Sequence, residues 1–253
     1  IYELVAALEA RLLELGGALR YETRVDALLL SGSAAAGVST AAGHVAADAV
    51  VWSGDALVLD RLLGRPTQPE PERSLSGLAL MLGLRGRTPE LTHHMITFPA
   101  DYDAEFDDVF AERRLPRDPT LYVSASCATD ASEAPVGAEN WFVLVNAPSG
   151  AALSAESLDA YEAMLVGRLG VGSRIVTSAR RTPDDLERET GAARGAIYGA
   201  APHGRLGTIG RPTNAARRPR GLYRAGGTVH PGGGLPLVML GAKVVAEEIG
   251  PAR

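Results

Sequence analysis

The stretch Gly221-Leu-Tyr-Arg-Ala-Gly-Gly-Thr-Val-His-Pro-Gly-Gly-Gly-Leu-Pro236 runs straight into the apolar segment Leu237–Ile249. Gly221–Ala225 reads as a short strand. A loop of five glycines, two prolines and one histidine follows. Leu237, Leu240, Val244 and Val245 then recur at helical spacing, which predicts a helix from about Leu235 to Glu248. Strand, glycine loop and helix start let a backbone approach a phosphate or a flat ring, because glycine has no side chain to hold the ligand off. The first helical N–H groups add donors and partial positive charge. The same pattern also serves tight packing of a helix on a sheet, so spacing alone leaves both roles open.

The eleven residues Gly226-Gly-Thr-Val-His-Pro-Gly-Gly-Gly-Leu-Pro236 resemble the C-terminal flavin-contacting signature of the phytoene desaturase, or carotenoid desaturase, family. The Gly-Gly-Thr-Val-His-Pro-Gly form is most similar to the hydroxycarotenoid 3,4-desaturase branch. The resemblance implies a mixed α/β (α+β) fold. In it, the C-terminal part of an FAD-binding Rossmann-like domain carries an inserted sheet-plus-helix substrate domain. It also implies that Gly226, Gly227, Thr228, Val229, His230, Pro231, Gly232, Gly233, Gly234, Leu235 and Pro236 contact FAD. Val25, within Glu22-Thr-Arg-Val25, matches a position whose backbone pairs with adenine in related flavoproteins; it reads equally as an ordinary core valine. His230 could donate a hydrogen bond to a cofactor oxygen, or simply bond the loop backbone. An esterase oxyanion loop is excluded, because no Gly-x-Ser-x-Gly elbow occurs in the chain.

Composition sets wide limits. The 253 residues are 46% hydrophobic and 22% charged with a net charge of -5, the balance of an ordinary globular chain. No basic block offers a nucleic-acid surface; the arginines between Arg211 and Arg224 are broken up by proline and glycine and read as a solvated loop. Cys127 is the sole cysteine, so no internal disulfide or cysteine-rich metal cluster can form. No run of about 18 apolar residues spans a bilayer.

The sequence opens inside a helical pattern (Ile1, Leu4, Val5, Leu8, Leu12, Leu15) stopped by Gly16-Gly17. It contains no Gly-x-Gly-x-x-Gly. Both features lead to the expectation of a piece of a longer polypeptide, with the N-terminal βαβ unit absent. Ala18–Tyr21, Val25–Leu30, Ala35–Thr40 and His44–Ala46 read as strands, and Asp48–Trp52 as a short buried one. Asp55 reads as a cap for a helix over Ala56–Leu63. The proline-rich Arg65–Pro71 stretch marks a domain crossing. Beyond it, Leu75–Leu84 and Leu91–Phe98 are apolar segments, and strands are predicted over Leu121–Ala125, Trp141–Ala147 and Arg174–Thr177. Helices are predicted over Tyr102–Arg114 and Ser154–Leu169 and after Thr182, with Pro183 first. The expected layout is a remnant FAD-binding domain of residues 1–66 plus 181–253 and a substrate domain of 67–180. Within the former, Gly199–Gly210 resembles the family's glycine-rich loop near flavin and substrate.

Catalytic side chains are scarce. Adjacent His93 and His94 on a strand would face opposite ways and could not share a metal, so no metal site is expected. Asp107-Asp108 and Asp184-Asp185 read as caps or solvated faces. The family resemblance accounts for the scarcity: it implies desaturation of a carotenoid-type polyisoprenoid by hydride transfer to flavin, with the protein supplying a dry, aligning slot. It further implies a cytoplasmic location, with peripheral contact at a membrane surface. The alternatives within the family are an isomerase, a saturase or an oxygenase. Outside it stands a non-catalytic fragment.

The chain as it stands should bind FAD weakly or not at all. Without the glycine turn for the pyrophosphate and the acidic residue about 20 positions later for the ribose, it lacks several charge-assisted hydrogen bonds of roughly 1.5–3 kcal/mol each. Calorimetric titration of the purified chain checks this; micromolar binding by a monomer would contradict it.

Overall fold

The structure, a computed structural model, describes residues 2–65, 72–201 and 210–251. Residues 66–71 of the predicted crossing and 202–209 of the second glycine-rich loop, with His203, lie outside the described residues. By packing, the chain divides into two compact units, Ile1–Val51 with Ala215–Tyr223, and Trp52–Asn214 with Arg224–Arg253.

In the first unit, α1 (Tyr2–Glu14) ends as predicted, with Gly16 at a φ of +81°. None of its residues is buried, and Leu4, Val5, Leu8 and Leu12 lie exposed along it. Strands β1 (Val25–Ser31), β2 (Ala34–Thr40) and β3 (Gly43–Ala46) form an antiparallel meander. Arg220 extends it at the β1–β2 turn, donating to Ser33 O and accepting from the Ala35 N–H. Ala18–Tyr21 is not a strand. It has no ladder partner, Glu22 takes a φ of +51° that ends any extended run, and the Tyr21 hydroxyl turns back to Glu9 at 2.8 Å.

Strand β4 (Val50–Trp52) pairs with β10 (Leu222–Arg224). The predicted buried strand over Asp48–Trp52 is thus shorter than expected. It is also only partly buried, since Val51 alternates outward and is 47% exposed. Helix α2 (Ala56–Leu62) follows.

The second unit is built on a five-stranded antiparallel sheet in the order β6-β7-β8-β5-β9. Its strands are β5 (Ser76–Arg85), β6 (His94–Thr97), β7 (Leu121–Ser124), β8 (Ala138–Ala147) and β9 (Ile175–Arg181). The β5–β8 ladder is unbroken from Ser76↔Ala147 to Arg85↔Ala138. Leu78, Leu80, Leu82 and Leu84 alternate onto one face with Trp141, Val143 and Val145, and all are buried. Helix α4 (Ala155–Leu169) adds Leu158 and Leu165 to that core, each worth about 1.5–3 kcal/mol of burial. Its ends follow the sequence: the Ser154 side chain accepts from the Ser157 N–H at 3.1 Å, and Gly170 stops it at a φ of +67°.

Two expectations in this unit need correction. Tyr102–Arg114 is not one α-helix: α3 (Tyr102–Phe106) widens into a π-helical turn over Asp107–Ala111. The pair Asp107-Asp108 is therefore split. Asp107 is exposed, whereas Asp108 is buried, pairs with Arg114 and Arg117 and accepts the Arg117 N–H. Those partners hold its pKa below the usual carboxylate value although burial pushes it up. His93 and His94 do not diverge either. His93 lies just outside β6, its carbonyl still accepting the Ala125 N–H at 2.8 Å, and the two ring centroids lie 4.3 Å apart. His93 meets the Thr129 hydroxyl and His94 meets that of Tyr122. Among the described residues no helix is long and apolar enough to cross a membrane.

Helix α5 (Pro183–Thr190) opens with a reciprocal cap. Thr182 Oγ1 accepts the Asp185 N–H, and the Asp185 carboxylate accepts the Thr182 N–H at 2.9 Å. That backbone bond, with Arg188 and the Thr182 hydroxyl, lowers the Asp185 pKa to about 2. Asp185→Ala should therefore cost about 1 kcal/mol of stability at neutral pH. A lowered folded-state pKa stabilises fully only above the unfolded value of about 3.9. The advantage is lost as pH falls through about 2. Denaturant unfolding of both proteins at pH 7 and in strong acid checks this; a gap of equal size at both would overturn it.

Candidate functional site

Beyond β10 the chain enters the predicted glycine loop, and α6 (Leu235–Ile249) begins where the sequence placed it. The Ala225 N–H donates to Trp52 O at 3.0 Å, so the loop departs from the end of β4. Thr228 then turns its hydroxyl onto the start of α2, accepting the Ala56 N–H at 3.1 Å. Val229 is buried, while His230 is exposed on its side chain and engaged on its backbone. The His230 N–H donates to Pro212 O, and its carbonyl accepts from Asn214 Nδ2, both at 2.9 Å. The buried Asn214 side chain also donates to Arg224 O. Arg211 Nη1 bridges Gly227 O at 2.9 Å and Tyr198 O at 3.3 Å. Gly234, the N-cap of α6, has no side chain of its own to cap the helix; Pro236 sits in the first turn.

Two of the glycines are needed for different reasons. At Gly233 an added Cβ would lie 2.5 Å from the Tyr198 ring, so a protein side chain already fills that space. At Gly234 a Cβ would meet nothing within 4 Å, but its φ of +103° is one that side-chain-bearing residues rarely adopt.

Next to the loop lies a cavity of about 260 Å³, lined by Asp55, Ala56, Leu57, Asp60, Arg73 and Thr228 among others. Asp55 caps α2 as predicted, its Oδ1 accepting the Leu57 N–H at 2.8 Å. Beyond that expected role, its Oδ2 accepts from Arg73 Nη2 and from the Ala193 N–H. Burial raises the Asp60 pKa against the opposing charges of Arg224 and Arg65. Arg73 Nε, buried in the cavity wall, has no hydrogen-bond partner among the described residues. A buried donor left over in the cavity wall fits a ligand presenting oxygen acceptors. FAD, the cofactor implied by the resemblance, has such oxygens.

Of the residues singled out in the sequence, Gly226–Pro236 form this loop, and Val25 opens β1 in the first unit. The sequence did not indicate Arg73, Tyr198, Arg211 or Asn214. Their partners are 10 to 18 residues away for Arg73, Arg211 and Asn214, and Tyr198 meets Gly233 only through the fold. No local pattern encodes such pairings.

Gly233→Ala should destabilise the chain, and Tyr198→Ala added to it should relieve that loss. Gly234→Ala should cost about 1–3 kcal/mol of backbone strain, which Tyr198→Ala leaves untouched. Thermal unfolding of the single and paired variants checks this; equal rescue of both glycine variants would overturn it.

No protein-family model matches the chain. It is similar to the 1-hydroxycarotenoid 3,4-desaturase of Flavobacterium sp. (strain P99-3), with 34% identity over 248 residues covering 93% of this chain and 51% of the relative. It is also similar to the 4,4'-diapolycopene oxygenase of Methylomonas sp, with 33% identity over 267 residues covering 98% of this chain and 53% of the relative. An oxidoreductase from Methanosarcina mazei shares the fold, with a TM-score of 0.58 at 16% identity, covering 96% of this chain and 53% of that one. The chain spans about half the length of the curated relatives it matches. By its similarity to these relatives along nearly all of its length, the chain belongs to the carotenoid desaturase family.

Proposed function

We propose that the whole protein is an FAD-dependent oxidoreductase that desaturates a carotenoid-type polyisoprenoid, and that this chain carries part of its flavin site and its substrate domain. The observation that supports this most is the Gly226–Pro236 loop, pinned by Thr228 to α2 and opening an uncapped helix beside a cavity with an orphan donor. Residues 1–66 with 181–253 would form the cofactor domain, and 67–180 the substrate domain. Gly226–Pro236 would line the flavin, and the Val25 backbone would pair with adenine. Bound FAD would supply the hydride acceptor, while a proton leaves the neighbouring carbon as the new double bond forms. The chain's own task is to bind, to align and to exclude water. The long apolar substrate would reach it from a membrane surface to which a cytoplasmic protein binds peripherally.

A second reading, oxygenation in the same site, is favoured by the name of the Methylomonas relative. Product mass separates the two. Purified whole protein, assayed with an acyclic hydroxylated polyene, should retain flavin and yield a product lighter by two hydrogens. A heavier, oxygenated product would move the assignment to the second reading, an unchanged mass with altered geometry would mark an isomerase, and a flavin-free, inactive protein would overturn the proposal.

A further inference from the structure

The ion pair between Asp55 and Arg73 is unlike the other pairs with a buried carboxylate among the described residues. Its side chains are 1% and 5% exposed. In the pairs Asp108–Arg114, Asp108–Arg117 and Glu139–Arg174 the carboxylate is equally buried, but the arginine is 37%, 70% and 24% exposed. Burying both charges is expensive, and a buried pair is often no better for stability than apolar residues of the same volume. Here the expense is greater, because among the described residues Arg73 Nε is left without a partner. Stability is therefore a weak reason for the pair, and geometry supplies a stronger one.

The Asp55 carboxylate gathers donors from three separate segments: Leu57 at the start of α2, Arg73 ahead of β5, and Ala193 beyond α5. The next N–H, that of Ala56, holds the Thr228 hydroxyl. Arg73 lies in a second strip of contacts leading to the same loop. Residues 72–75 pair with 197–201 through Ser74 N–H to Gly199 O, Ile197 N–H to Leu75 O and Ala201 N–H to Glu72 O. Gly199 in that strip packs on Thr228, where an added Cβ would lie 2.9 Å from the Thr228 Cβ, and Tyr198 packs on Gly233. Both routes from the ion pair end on the glycine loop.

We infer that Asp55 and Arg73 are positioning residues that fix the glycine loop against α2 and against the segment entering the antiparallel sheet. The consequence for flavin chemistry rests on the function proposed above; the fixing of the loop does not.

Asp55→Asn keeps an acceptor for the Leu57 N–H and removes the charge. The double variant Asp55→Asn/Arg73→Met removes both charges and leaves no unpaired one. Hydrogen exchange on the full 253-residue chain, read by peptide mass, separates positioning from plain stabilisation. Asp55→Asn should speed exchange of residues 226–238 and 56–62 by tenfold or more while 78–84 and 141–147 keep their protection. In the double variant the melting temperature should recover and the loop should still exchange fast. A loop as protected as in the parent sequence, in either variant, would overturn the inference, as would a rise spread evenly over the sheet. In the whole flavoprotein, Asp55→Asn should alter the visible circular dichroism of the bound flavin at unchanged stoichiometry; an identical spectrum would count against the pair. A whole protein that holds no flavin would sink the proposed function, and hydrogen exchange alone would then decide the positioning role.

Discussion

The first turn of α2 is the constraint around which the site is arranged. A helix start leaves N–H groups without intrahelical partners, and when buried they must find acceptors elsewhere. Ala56 and Leu57 are both buried, so water does not serve them. Leu57 finds the Asp55 side chain, two residues away. Ala56 finds Thr228, 172 residues away. One local and one very distant acceptor thus share a single turn of helix, and the distant one draws the glycine loop to the place where β4 ends. The Trp52 indole closes the corner by donating to Asp55 O at 3.0 Å.

Charge placement divides the second unit into a structural end and a site end. Glu139 lies buried at one end of the long β5–β8 ladder, meeting the Thr88 N–H and hydroxyl, Arg174 and the Trp141 indole. These donors hold its pKa low even though burial pushes it up. Four donors converge on that carboxylate, so the cluster ties strand ends together. Elsewhere Asp55 gathers three donors, but among the described residues its partner Arg73 keeps an unpaired Nε, and a cavity lies alongside. Unsatisfied buried donors are uncommon in folded proteins and call for an explanation. A ligand acceptor is the explanation we propose.

Much of the scaffold was legible because its signals are local. The apolar run Leu75–Leu84 marks where β5 lies, with Leu78, Leu80, Leu82 and Leu84 on one face. Ser154 and Gly170 bracket α4, and Thr182-Pro-Asp-Asp185 writes out the α5 cap within four residues. The glycine loop and α6 were legible on the same grounds. The failures occur where a distant partner overrules the local pattern. Tyr102–Arg114 has helical spacing, yet Asp108 is held by arginines beyond the helix and the turn widens to a π form. Ala18–Tyr21 has strand composition but no strand to pair with. Asp55 was read as a cap and is one; that it also joins Arg73 and Ala193 depends on segments 18 and 138 residues away.

The glycine run itself shows how far a motif can be trusted before the fold is known. In sequence, three consecutive glycines leave ligand approach and close packing equally open, and at Gly233 the Tyr198 ring occupies the space. Only at Gly234 does the structure leave the space open, next to helical N–H groups that no side chain caps. The loop therefore combines two functions in adjacent residues. Gly233 lets a protein ring lock the loop in place, and Gly234 turns the backbone so that the helix start faces outward. A ligand bound there would meet donors already held in position, and so would lose less binding energy to ordering the loop.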